Sequence, residues 1–490
     1  MSNFPDDRIR TIQSALNIDR TASFNNINHW SLSSYFSRLN YDYDGKYLVT
    51  LALRRDGSSR FGSNNRWGNF PSVSAGWVFS DESFLENADF LSFGKIRASY
   101  GVIGNNNIGN YTQYALVDNS INAVFGNTVA SGAAVTTLGN ANLGWERTKQ
   151  FDIGLDLRFF NNRVEFIYDY YKKNTTDLLF NVAIPQESGF SNFNDNVGEI
   201  EFWGHEFAIV SRNVANDNFT WNTNFNIAFN RNKVVALAEG VDRIFSPGGN
   251  YTSITRAGEP LGQFWGLIHD GVYDNQAEFD SSPRAVESEV GTIKFADVNG
   301  DGVITFGNEN DDRTVIGNPF PDYIFGITND FKYKNWDASV VISGSVGNDI
   351  AVTTDQGLTN LDGVFNVLRD VQDRWRSPEN PGSGRYGKTT SATFMERDWF
   401  SSRFIEDGSH LTVKNITVGY NFPVKEDGLL QRARVYASVQ QAFVFTKYRG
   451  SNPEISTTTQ GQQAGALSLG YDWGSYPVPR TFTVGFNLSL

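Results

Sequence analysis

Oxygen-bearing side chains occupy alternate positions in the run Asp297, Asn299, Asp301, and Gly302 follows directly. That spacing matches the first half of an EF-hand-type calcium loop. Ligands at positions one, three and five converge on a hard cation, a glycine at six permits the sharp turn, and residue seven, here Val303, offers its backbone carbonyl. The twelfth position is Asn308 rather than a bidentate Glu, and Glu309, Asp311 and Asp312 come late, as if residues were inserted. No flanking helices are evident, and the same residues also suit an Asx-rich turn. A calcium ion on Asp297, Asn299, Asp301 and Val303 would stabilise a loop and take no part in catalysis.

Other chemistry has less support. Glu199/Glu201, Asp152/Asp156 and Glu309/Asp311 can each be drawn as the acid and base of a glycosidase, but nothing in their spacing makes a pair converge. His29, His205, His269 and His410 are too scattered for a shared metal site, and there is no Cys. No Gly-x-Ser-x-Gly elbow occurs in a strand–helix context, and Gly101-Val-Ile-Gly104 lacks the Lys-Ser/Thr of a phosphate loop. No catalytic residue is assigned, no cofactor is required, and the chain is not expected to be an enzyme. Loop aromatics are the better contact candidates: Trp265, Tyr273, Trp375, Trp399 and Trp473, with Phe264, Tyr471 and Tyr476 beside them. Their faces could stack on sugar rings or a capping partner, or pack the loops on themselves.

The elements that must position these residues read as strands. Phe151, Ile153, Leu155, Leu157 and Phe159 alternate with Asp152, Gly154, Asp156 and Arg158. The same period of two runs from Phe219 to Asn230 and from Phe482 to Leu490. Each such strand has one apolar and one polar face, and about ten residues suffice for a tilted strand to cross a bilayer. Roughly thirteen strands are expected, beginning near Ser31, Lys46, Trp67, Phe93, Trp145, Arg163, Val197, Asn218, Asp322, Trp336, His410, Ala433 and Arg480.

Links between them alternate in kind. Asp42–Gly45, Asn161–Asn162, Asn213–Asp217 and Tyr333–Asn335 are short, and Ser80–Ser92 and Pro423–Arg432 are moderate. Val102–Gly144, Arg231–Pro321, Gly347–Ser409 and Lys447–Pro479 are long, rich in Gly, Asn and Ser, and structureless by pattern. A soluble domain rarely carries several such loops, whereas an outer-membrane barrel pairs short periplasmic turns with long extracellular loops. Trp67, Trp77, Phe79, Trp145, Phe159, Phe160, Trp221, Phe229 and Trp336 near strand ends fit interfacial girdles. Alternation alone also suits a β-sandwich. An odd count would close a barrel through a parallel pair, so thirteen strands read as part of a barrel.

Composition narrows the function classes. The 490 residues carry a net charge of −13, which argues against a nucleic-acid partner. Aromatics make up 14%, high for an ordinary soluble domain, and the 46 Gly with abundant Asn do not favour a helical protein. No apolar run is long enough for a transmembrane helix, and the MSNFPDDRIRTIQ start has no signal-peptide core.

Several segments resemble the SusC/RagA-type TonB-dependent outer-membrane transporters. They include SRLNYDYDGKYLVTLALRRDGSSRFG (Ser37–Gly62), FPSVSAGW (Phe70–Trp77), KIRASYGVIGNNNIGNY (Lys95–Tyr111) and LGWERTKQFDIGLD (Leu143–Asp156). GEPLGQFWG (Gly258–Gly266), FADVNGDGVIT (Phe295–Thr305) and VIGNPFPDYIFGITNDFKYKNWD (Val315–Asp337) follow in matching order. The resemblance implies an all-β fold: an antiparallel transmembrane β-barrel portion, about thirteen strands of a roughly 22-stranded barrel, with long extracellular loops. Residues 1–490 then correspond to the carboxyl-terminal part of the receptor barrel, with plug domain, TonB box and signal peptide absent from this chain. It further implies a Gram-negative outer-membrane location and TonB-energised import of oligosaccharides or peptides. The implied partners are a SusD-like surface lipoprotein lid, outer-membrane lipid, and TonB through the missing amino-terminal region. Two departures are the final Leu490, where such barrels usually end in an aromatic, and Ser-Asn within Tyr448–Glu454 in place of an aromatic-Asp pair. The alternative reading is a non-transporting surface β-module, adhesive or calcium-stabilised.

Overall fold

Period-two alternation produces one large antiparallel sheet. The computed structural model describes residues 27–489 apart from 119–121, 127, 184–185, 191, 249–250, 308–309, 362–365, 390–392, 425–429 and 456–466. Thirteen strands pair in chain order: β1 Leu32–Tyr43, β2 Tyr47–Ser58, β3 Trp67–Val78, β4 Leu91–Asn105, β5 Glu146–Phe159, β6 Val164–Thr176 and β7 Glu199–Ala215, then β8 Phe219–Ala236, β9 Tyr323–Tyr333, β10 Trp336–Val346, β11 His410–Phe422, β12 Arg432–Thr446 and β13 Thr481–Ser489. Every strand begins within two residues of its expected start. Among the described residues β1 and β13 do not pair with each other, so the sheet is open with two edges. Strands of 9 to 18 residues are long enough to cross about 30 Å of hydrocarbon at a tilt.

Register makes each face continuous. Tyr43, Tyr47, Trp77, Ile96, Leu155, Tyr168, Phe207, Ile227 and Phe325 lie in one paired row across nine strands. The neighbouring row on the opposite face reads Leu48, Gly76, Arg97, Gly154, Asp169 and Glu206. Because side chains alternate strictly, a one-residue slip would exchange these faces. The outer surface exposes Leu39, Leu51, Val73, Ile153, Phe482, Val484 and Phe486, an area far beyond what a soluble monomer leaves in water.

On the inner face, glycines let long side chains cross a strand. Arg97 of β4 reaches over Gly154 of β5 to Asp169 of β6 at 2.7 Å, and also pairs with Asp156 at 3.1 Å. A Cβ on Gly154 would fall 2.4 Å from the Arg97 Cζ. Tyr171 of β6 likewise passes over Gly204 of β7 and donates to Asn230 of β8 at 2.6 Å. Arg434 of β12 crosses Gly419 of β11 to Asp337 of β10. These side chains lie along the wall and span three strands each.

The two rims differ as expected. Short turns at 44–46, 160–163, 216–218 and 334–335 share one rim, and the long links share the other. Trp77, Trp221 and Trp336 are exposed near the short-turn rim, with Trp221 stacked on Phe331 and Trp336 against Tyr420. Trp145 departs from the girdle expectation. It is buried against Phe61 and Phe70, and its Nε1 donates to the Arg66 carbonyl at 3.0 Å. The long links also depart from the structureless reading. Link 237–322 folds Arg243–Gly248, Tyr251–Arg256, Gln263–Gly266 and Thr314–Gly317 into a four-stranded sheet.

Candidate functional site

Links 237–322, 347–409 and 447–480 build one assembly above the long-link rim. Asp349–Val352 pairs antiparallel with Ile405–Asp407 and parallel with Tyr471–Asp472. The Tyr251 hydroxyl donates to the Thr353 carbonyl at 3.0 Å, and the Leu267 N–H donates to the Phe400 carbonyl at 2.9 Å. An aromatic core of Tyr251, Phe264, Phe400, Phe404 and Tyr471 joins all three links. A second core gathers Leu267, Val272, Ile293, Phe295, Ile304, Trp375 and Met395. Burial of this apolar surface is what holds the assembly together.

Ionic groups sit inside the same assembly. Arg403 and Glu396 are both buried and 3.7 Å apart, and Arg403 also donates to the Glu396 carbonyl and to Thr359. Burial pushes the Glu396 carboxyl up and the Arg403 guanidinium down, each partly opposed by the other's charge. Arg449 pairs with Glu406 and, at 2.9 Å, with Asp355, tying segment 448–454 to link 347–409. Within that segment the Tyr448 hydroxyl donates to Asp472, and Glu454 accepts from Thr412 at 3.1 Å. His269 is enclosed beside these cations. Burial, then Arg403 and Arg385, lower it to about 4 from its ordinary value of 6.5. Its Nε2 has no hydrogen-bond partner.

The five contact candidates take different places. Tyr273 is 1% exposed, with its hydroxyl donating to the Pro283 carbonyl at 2.7 Å. Trp375 is 9% exposed, with its Nε1 donating to the Asp274 carbonyl at 3.1 Å. These two are core residues, because a large apolar surface in a long link is better buried than offered to a ligand. Trp399 is half-buried, stacked on Phe306 at 5.5 Å and packed against Phe295. Trp473 is half-buried edge-on to Tyr251 at 5.9 Å. Trp265 is half-buried and lines an open cavity of about 450 Å³ with Arg243, Phe245, Asp311 and Arg313. The sequence reading missed Arg243, Phe245 and Arg313; the only local signal was the Arg-x-Phe alternation at 243–245.

The calcium-like run forms a closed Asx loop. Asp297 accepts the N–H groups of Gly300 at 2.6 Å and Gly302 at 2.9 Å. The Gly302 N–H, and then that of Gly300, hold the Asp297 carboxyl below its usual range. Asn299 accepts from the Asp301 N–H at 2.9 Å, and Asp301 from the Val303 N–H at 2.8 Å. Gly300 and Gly302 both take positive φ, 77° and 82°, which few other residues adopt. Asp312 is fully buried and accepts from Val298 at 3.0 Å and Thr305 at 2.8 Å, so a late carboxylate closes the loop from within. Asn308 and Glu309 lie outside the described residues, as does Leu490. Among the described residues no three His, Asp or Glu side chains gather closely enough to hold a metal.

Two of the three carboxylate pairs are used structurally, and the third, Glu309/Asp311, falls partly outside the described residues. Glu199 accepts from Asn174 at 2.6 Å and Glu201 pairs with Lys172 at 2.5 Å. Asp152 accepts from Ser99 at 3.0 Å, and Asp156 pairs with Arg97. His29, His205, His269 and His410 remain apart: the His29 N–H donates to the Tyr111 hydroxyl, His205 bonds Tyr168 at 2.9 Å, and His410 lies 3.5 Å from Glu454.

Comparison with known proteins places this architecture. A family model described as TonB dependent receptor-like, beta-barrel matches residues 2–440. TonB-dependent receptor P3 of Formosa agariphila is 39% identical over 473 residues, covering 95% of this chain and 46% of the relative. TonB-dependent receptor SusC of Bacteroides thetaiotaomicron is 32% identical over 473 residues, covering 94% and 44%. Among solved structures, the RagAB peptide transporter superposes with a TM-score of 0.78 at 24% identity, covering 99% of this chain and 50% of that one. The chain therefore spans about half the length of the curated relatives it matches.

Proposed function

The chain belongs to the TonB-dependent receptor-like β-barrel family, and from that premise we propose that it forms the wall and surface loops of an active importer of oligosaccharides or peptides. It is an outer-membrane protein, with its apolar strand face toward lipid. The observation that carries the transport reading is the two-faced sheet: an unbroken apolar outer row beside an inner wall of Arg97, Asp156, Asp169, Arg434 and Asp337. A polar wall of this kind suits a wet lumen, through which cargo passes without covalent chemistry.

In this reading the thirteen strands are the carboxyl-terminal part of a larger barrel, and its further strands pair with the edges of β1 and β13. TonB supplies the energy through a plug and TonB box outside residues 1–490. A SusD-like lipoprotein caps the loop assembly as a lid. Support comes from the half-length match to relatives that include a SusC and from the likeness in fold to a peptide transporter. The test is uptake of fluorescent oligosaccharides and peptides by cells with and without the gene. The protein should fractionate with the outer membrane and migrate heat-modifiably, and uptake should require both the gene and the proton gradient. A water-soluble monomer, or uptake indifferent to the gene, would overturn the proposal.

A further inference from the structure

The four-stranded loop sheet has two unlike faces. Tyr251 and Phe264 point into the aromatic core. The other face carries Arg243 and Phe245 on the first strand, Arg256 on the second and Trp265 on the third, with Phe245 and Trp265 6.4 Å apart between ring centres. Arg243 and Arg256 stand directly opposite each other in the strand register. Like charges so placed repel and destabilise the pair. Arg313 adds a third guanidinium, 5.7 Å from the Phe245 ring centre, while Arg243 lies 5.6 Å from the same ring.

Counter-charge is incomplete. Asp311 pairs with Arg313 at 2.6 Å, and Glu259 reaches Arg256 at 3.9 Å. Arg243 has no carboxylate within ion-pair distance among the described residues, in a chain whose net charge is −13. The cavity that Arg243, Phe245, Trp265 and Arg313 border, about 450 Å³, lies within the size range of small-ligand sites, roughly 300–1,000 Å³.

We propose that this arginine-and-aromatic cavity binds the anionic group, carboxylate or sulfate, of an acidic oligosaccharide. Guanidinium forks pair with two oxygens of one oxyanion in a bidentate way that a lysine would not. The rings of Phe245 and Trp265 offer flat surface to the apolar face of a sugar. Asn310 at the cavity wall adds a side-chain amide that can both accept from and donate to sugar hydroxyls, while Asp311 is buried and committed to Arg313 and the Gly307 N–H. The proposal rests on the importer reading and names a class of cargo for it.

The test is calorimetric titration of the purified full-length protein in detergent with tetragalacturonate, neutral maltotetraose, tetraglutamate and inorganic sulfate. Tetragalacturonate should bind, with affinity falling as salt rises, and maltotetraose should bind at least tenfold more weakly. Arg243→Glu should lower galacturonate affinity at least tenfold while the loops keep or gain protease resistance, because the new carboxylate pairs with Arg256. A merely structural Arg243 would instead lose protease resistance along with affinity. Equal binding of maltotetraose, binding of tetraglutamate or sulfate as tight as galacturonate, or unchanged affinity in Arg243→Glu overturns the proposal. Cells that import a neutral oligosaccharide through a protein indifferent to galacturonate would keep the importer reading and reject this site. Galacturonate binding by a protein that imports nothing would do the reverse.

Discussion

Replacing Phe264 with alanine is expected to open three links at once, although they are separated by long stretches of chain. Phe264 is fully buried, 5.1 Å from Tyr471 and 6.4 Å from Phe400 between ring centres, so its ring touches residues of links 447–480 and 347–409. Emptying a site of this kind costs about 3–5 kcal/mol, set by how little the surroundings relax. Here Gly470 and Gly317 approach the ring closely and their backbones have little freedom to fill the space. A loss of about 3 kcal/mol raises the open population of the assembly by roughly a hundredfold. Limited trypsinolysis reads that population when closing is fast relative to cleavage. Fragment mapping should show cleavage at Arg284, Arg374 and Arg449 accelerating together, with the heat-modifiable migration of the barrel kept. Tyr476→Ala, at a residue 92% exposed, should change nothing. Acceleration confined to link 237–322 would refute the shared core.

Three further outcomes follow from named contacts. His269 is held near 4 in the folded assembly against 6.5 when exposed, so the unfolded loops bind a proton that the folded ones refuse. Loop stability should therefore fall as pH drops from about 6.5 to about 4, by up to about 3 kcal/mol; hydrogen exchange at pH 7 and pH 5 measures it, and a His269→Phe variant with the same pH dependence would reject the cause. Gly154→Ala should cut the Arg97–Asp169 bridge, lowering wall stability by about 1 kcal/mol after solvent screening and the temperature at which the folded gel band converts. Adding Asp169→Ala should bring little further loss, since its bridge to Arg97 is already gone. Because the Asp297 and Asp301 carboxylates already accept backbone N–H groups, millimolar calcium should leave the protease sensitivity of segment 297–303 unchanged; calcium protection that Asp301→Ala abolishes would instead assign a metal to the loop.

The wall was legible because two independent constraints act on every strand. Lipid outside and polar groups inside impose alternation, and long pairing imposes length, so Phe151 to Phe159 or Phe219 to Asn230 admits only one register. The glycines that carry Arg97, Tyr171 and Arg434 across the wall were invisible for the opposite reason. In sequence Gly154, Gly204 and Gly419 look like weak strand positions; their use appears only when pairing sets a long side chain on one neighbour and its acceptor on the other.

The loops failed to declare themselves because their partners are remote in sequence. Trp375 looks like a free aromatic until links 237–322 and 347–409 are brought together, and Tyr273 until its own link folds it against Phe279 and the Pro283 carbonyl. Asp312 looks like a misplaced ligand until its carboxylate is seen to accept the N–H groups that shape the turn. The same reasoning separates Trp265 from Tyr273 and Trp375. Residues that satisfy their own polar atoms and bury their rings have finished their work in folding. Arg243, Arg256 and Arg313 have not, because their positive charges are crowded on one face and only partly neutralised. An opposed pair of arginines costs the loop sheet stability, and Trp265 stands beside them. Function on this surface is therefore to be sought where folding left charge unbalanced, and not where aromatic residues are most numerous.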